Sequence, residues 1–111
     1  MSLSEKIRKA REQRFEVDGL KLTIRRPTDY EAATLGDATF FDIASKFVVG
    51  WDGVLESDIA PGGDGIPAKF SPDLWAEVLA DRPAIWGPVA VAVIDAYKKH
   101  RSDIEDAEKK S

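Results

Sequence analysis

Cysteine is absent from this sequence, and histidine occurs once, at position 100. No disulfide framework or thiolate nucleophile is therefore available, and one imidazole leaves out the usual zinc sites and the Ser-His and Cys-His pairs. What remains to a catalytic reading is carboxylate chemistry. Long apolar runs are also missing: nothing approaches the ~20 residues that cross a bilayer, so no membrane partner is expected. Residues 1–13 are charged where a secretory signal needs an apolar core, which points to the cytoplasm. Excess positive charge is lacking too. A formal net charge of −4 counts against binding to phosphates, and so against nucleic acid as a partner.

What is present suits a single domain over residues 1–111. A chain of this length buries one modest core, and 43% hydrophobic with 32% charged residues lies in the globular range. Ser4 can cap a short helix over 5–12 whose apolar residues are only Ile7 and Ala10, so residues 1–13 read as a flexible arm. From Phe15 the period becomes two: Phe15 and Val17, then Asp18-Gly19, then Leu20, Leu22 and Ile24. This predicts a β-hairpin closed by a type I′ turn, with Val17 opposite Leu20, Phe15 opposite Leu22 and Glu16 opposite Lys21. A lone hairpin is marginal in water, so its apolar face must lie on helices.

Thr28-Asp29-Tyr30-Glu31 fits a capping box that starts a helix at Asp29. A break near Gly36 and Asp37 is preferred over a helix running on to Val49, with Thr39 capping the next helix. Phe40, Ile43, Ala44, Phe47 and Val48 form an apolar stripe on it, and Gly50 is placed as its left-handed cap, with Trp51 and Val54 in the turn that follows. Residues 55–69 hold Pro61, Gly62, Gly63, Gly65 and Pro67 and read as a long loop, ordered or mobile, without helix and with only short extended pieces. Ser71 caps a helix with Pro72 first and Leu74, Trp75, Val78 and Leu79 inward. Another starts at Pro83, with Gly87-Pro88 as a second start or a kink and Val89, Val93 and Tyr97 along one side. Residues 98–111 form a charged tail, helical or disordered. The expected fold class is α+β, mainly α: an N-terminal hairpin packed on a small bundle of about four helices.

Asp52, Glu56, Asp58 and Asp64 flank the glycine-rich loop, but their spacing is not that of an EF-hand, and loop solubility explains them better. Gly62-Gly63-Asp64-Gly65 has neither a P-loop lysine nor a dinucleotide fingerprint. His100 sits among Lys98, Lys99 and Arg101 on a charged helix face, without the partner and pocket a general base needs. No catalytic residue, metal site or cofactor is expected. Trp75 reads as core; for Trp51 and Trp86, core packing and a role as partner anchors stand level. A basic N-terminal quarter facing acidic residues from Asp29 to Asp64 suits head-to-tail association or an acidic partner, with a solvated surface as the plainer explanation.

Three stretches carry a further signal: L-T-I-R-R-P-T-D-Y-E at 22–31, F-V-V-G-W-D-G-V at 47–54 and F-S-P-D-L-W-A-E-V-L-A-D-R-P at 70–83, followed by a charged C-terminal helix. In these the chain resembles the tail assembly chaperones of long-tailed bacteriophages. The resemblance implies a non-catalytic protein of the bacterial host cytoplasm that binds the tape measure protein, helps recruit tail tube subunits, forms homo-oligomers and is left out of the mature virion. Phe40, Trp51 and Trp86 are the candidate partner-binding residues under that reading. Such genes often yield a longer frameshifted product, and Lys109-Lys110 is a place where an A-rich slippery run would encode one. The alternatives are a structural phage component, such as a head-to-tail connector or minor tail protein, and, more remotely, a small carboxylate-based enzyme.

Overall fold

A type I′ turn needs left-handed φ at both central residues, which glycine adopts freely and aspartate tolerates. Asp18 and Gly19 stand at φ +52° and +77° in the computed structural model, which describes residues 1–110. Strands β1 (Glu12–Val17) and β2 (Leu20–Arg25) pair in the expected register, Val17 to Leu20, Glu16 to Lys21 and Phe15 to Leu22. β1 starts earlier than the alternation suggests: Glu12 and Gln13, expected in the arm, pair with Arg25 and Ile24. Before it, α1 (Leu3–Ala10) is capped by Ser2 rather than Ser4.

The hairpin gains a third strand. Residues expected as a helix cap and turn form β3 (Val48–Asp52), antiparallel to β2, so the sheet order is β1-β2-β3. Gly50 lies in the ladder opposite Thr23, and Trp51 lies opposite Leu22. The reason is local: β2 has a free edge, Val-Val-Gly-Trp is rich in strand-forming side chains, and sheet pairing takes up backbone groups that a cap would have served.

Helix boundaries follow the punctuation. Thr28 and Glu31 satisfy each other's backbone amides at 3.0 Å to begin α2 (Asp29–Thr34). Gly36, at φ +49°, ends that segment, and Thr39 with Asp42 repeats the box at α3 (Phe40–Phe47). The 55–69 segment contains one helical turn where no helix was expected, α4 (Glu56–Ile59), while its extended part is a bridge between Leu55 and Pro67, closed by amide bonds from Glu56 to Ile66 and from Ala68 to Val54. Ser71 caps α5 (Pro72–Ala80), and α6 (Pro83–Lys110) continues through Pro88.

Leu20, Leu22 and Ile24 bury one face of β2 among Ile43, Ala44 and Phe47 of α3, Trp75 and Leu79 of α5, and Val89, Ala90 and Val93 of α6. Each fully buried aliphatic or aromatic side chain contributes roughly 1.5–3 kcal/mol, so this cluster dominates stability. Phe40, expected on that inward stripe, is instead 52% exposed. The architecture is α+β, mainly α, as expected. α6 spans about 42 Å at 1.5 Å per residue, longer than the 35 Å second dimension of the molecule, and its last turns run past the core. The expected tail is thus helical through Lys110; Ser111 lies outside the described residues. Among the described residues no helix is long and apolar enough to cross a membrane.

Candidate functional site

The carboxylates serve caps and ion pairs. Asp58 accepts the Leu55 amide at 2.8 Å, Asp42 accepts that of Thr39, Asp52 pairs with Arg14 at 3.1 Å, and Asp18 pairs with Arg82 at 3.0 Å. Asp52, Glu56, Asp58 and Asp64 do not converge, and among the described residues no three potential metal ligands cluster.

Two polar groupings are more elaborate. Glu31 accepts a bidentate pair of bonds from Arg25, at 2.7 and 2.9 Å, together with the Thr28 amide, while Lys46 stands 3.7 Å away. Arg25 also lies 4.7 Å from the centre of the Phe47 ring. The Arg25 hydrogen bonds, outweighing partial burial, hold the Glu31 carboxyl at about 2, well below its ordinary 4.5. An acid held ionised in this way is committed to joining the end of β2 to the start of α2 and the flank of α3. Because the folded pKa is depressed, its contribution is complete above about pH 5 and fades as pH falls towards 2. Glu31→Gln should cost about 1–2 kcal/mol at pH 7, a gap that narrows below about pH 5 and closes only towards pH 2; urea denaturation of both proteins across that range measures it.

Asp29 collects the second grouping. Tyr97 donates its hydroxyl to Asp29 Oδ1 at 2.9 Å, Arg101 reaches Oδ2 at 3.5 Å, and His100 Nε2 lies 3.9 Å from Oδ1, beyond hydrogen-bond range. The bond to a carboxylate raises the Tyr97 phenol above its usual value, which disfavours a phenolate nucleophile. The cluster ties the middle of α6 to the first turn of α2.

The expected partner-binding residues separate. Trp51 donates its indole N–H to the Ala68 carbonyl at 2.7 Å and meets Phe70 edge to face; Trp86 donates to the Leu79 carbonyl at 2.7 Å and meets Phe41 edge to face. Both are half-buried and hold neighbouring segments together. Phe40 alone of the three leaves half its surface open, at the start of α3. A side chain at Gly87 would meet its ring at 3.6 Å, so the ring lies over the bare backbone of α6. Val91, one turn on from Gly87, is 45% exposed and extends this apolar strip. The α6 periodicity points to Val89 and Val93, and only the Phe40–Gly87 contact makes Val91 part of a surface.

A separate open cleft of about 690 Å³ lies between the α4 turn and α5, with Ile59, Leu74 and Val78 inside and Glu77, Asp81 and Arg82 at its side. The signal for it was α4 itself, hidden by the prolines and glycines around it.

Comparison with protein-family models, curated proteins and solved structures returns no match.

Proposed function

We propose that this protein is a non-catalytic tail assembly chaperone, binding a helical segment of a tape measure protein and helping to gather tail tube subunits on it. The observation that carries the reading is the Phe40 strip. A half-open aromatic ring lies across two well-anchored helices, over a glycine that leaves a shallow saddle, with Val91 beyond it. Apolar anchors one turn apart on a rigid face suit an amphipathic client helix, for which affinity comes from burial and needs no covalent step. The motifs that carry the resemblance support it as well, since they form the sheet, the caps and the α5 packing that hold this strip in place. The same reading locates the protein in the host cytoplasm, in several copies per client and outside finished particles.

The test is co-expression with tape measure segments, followed by measurement of soluble client and of affinity. Phe40→Asp should weaken binding at least tenfold while lowering unfolding stability by no more than about 1 kcal/mol, because half of the ring is already outside the core. Undiminished binding by a folded Phe40→Asp protein would remove the strip from the mechanism. A wild-type protein that leaves every segment insoluble would remove the chaperone reading, and its presence in purified virions would replace it with that of a structural component.

A further inference from the structure

We propose that α1 of one copy docks into the α4–α5 cleft of the next, so that the protein associates head to tail. The chaperone reading calls for several copies, and this inference deepens it by saying how copies join, from the arm and the cleft alone.

An eight-residue helix has little stability alone in water and needs a surface to lie on. α1 buries no residue on its own molecule, and Leu3 and Ile7 are 73% and 47% exposed. At helical spacing Leu3, Ile7 and Ala10 share one face, with Lys6 beside it and Lys9 one step round. The arm is therefore apolar, basic at its margin and uncovered.

The cleft has the complementary character. Half-buried Ile59 and Leu74 with buried Val78 supply an apolar floor, and Glu77 on α5 with Asp81 at its C-terminal cap supply acidic charge at the edge. The other charged groups there are engaged: Arg82 binds Asp18 and the Asp58 carbonyl, and the Asp58 carboxylate holds the Leu55 amide. Charge complementarity of this kind sets both partner and orientation.

Position makes the contact intermolecular. α1 leads into Glu12, which pairs with Arg25 at one end of the hairpin, whereas Arg82 fastens the cleft to Asp18 in the turn at the other end. Six-residue strands separate those ends by about 20 Å, and an eight-residue helix reaches only about 12 Å. A donor at one end and an acceptor at the other make a heterologous contact, which builds rings or open chains rather than closed dimers. One short helix covers well under the ~800 Å² per partner of a stable interface, so each junction is weak and assembly depends on concentration.

Sedimentation velocity from micromolar to millimolar protein reads this out. The wild type should grow in average mass with concentration, and growth should fall as salt rises. Ile7→Asp, and separately Glu77→Lys with Asp81→Lys, should remain monomeric. Mixed together, these two variants retain one working cleft and one working arm between them, and should form a dimer that grows no further. Because the protein has no cysteine, Ile7→Cys and Ala60→Cys copies provide a second readout: disulfides between the two variants should exceed those within either by at least fivefold. A wild type monomeric at millimolar concentration, variants that associate like the wild type, a mixture that stays monomeric, or crosslinks without that preference would each overturn the proposal. Failure here leaves client binding through Phe40 untouched, and loss of client binding leaves the junction intact.

Discussion

Trp75→Ala should lower unfolding stability by about 3–5 kcal/mol, the largest effect expected of any single substitution discussed for this protein. Trp75 is 1% exposed, its ring meets Trp51 edge to face at 6.5 Å, and its indole N–H donates to the Ala44 carbonyl at 3.0 Å. Ala44 belongs to the last turn of α3, where carbonyls run out of helical amides, so the indole both fills the core and serves a helix end. Since domains of this size hold only about 5–15 kcal/mol in total, the variant should be partly unfolded under mild conditions. Trp75→Phe separates the two roles: it keeps much of the volume and loses the donor, and should cost less than half as much. Urea denaturation followed by far-UV circular dichroism measures both. A Trp75→Ala loss under 1 kcal/mol would show that the α3–α5 junction does not depend on this side chain.

Gly63→Ala should cost about 1–3 kcal/mol although the residue lies far from the core. A Cβ there would stand 2.7 Å from the Glu56 carbonyl oxygen and 2.8 Å from its carbon, with the Ala60 oxygen at 3.1 Å. These are backbone atoms of α4 and its C-terminal cap, which cannot swing aside as a side chain would, so the turn itself must shift. Gly65 is the control: nothing lies within 4 Å and its φ is not left-handed, so Gly65→Ala should stay within about 0.5 kcal/mol. Equal urea midpoints for the two variants would mean that the α4 turn yields without cost. Because that turn forms one wall of the cleft, Gly63→Ala should also weaken the head-to-tail contact.

The parts of the fold legible in the sequence are those governed by neighbours along the chain. Asp18-Gly19 sets the hairpin register, Thr28 with Glu31 and Thr39 with Asp42 start two helices, and Ser71-Pro72 starts another, each through side-chain and backbone chemistry confined to a few residues. What escaped was set by distant partners. Val48 extends the helical stripe and Gly50 follows it, both local marks of a helix terminus, yet the free edge of β2 takes Val48-Val49-Gly50-Trp51 as a strand. Glu12 to Arg14 show no alternation because they lie on an edge strand exposed to water. The same limit applies to the site. Aromatic type alone placed Phe40, Trp51 and Trp86 together, whereas the contacts assign the two indoles to internal junctions and leave Phe40 outward. No local pattern could have paired the Leu3–Ile7 face with a cleft built around α4.

Each indole N–H is tied to a carbonyl of a different segment: Trp51 to Ala68, Trp75 to Ala44 and Trp86 to Leu79. The loop-to-sheet, α5-to-α3 and α6-to-α5 contacts therefore each carry an intrinsic fluorophore in a semi-apolar setting. Trp51 and Trp75 are close enough to exchange excitation, while Trp86 emits beside Phe41. Proteins retaining a single indole would let the loosening of each contact be followed optically, with no label added.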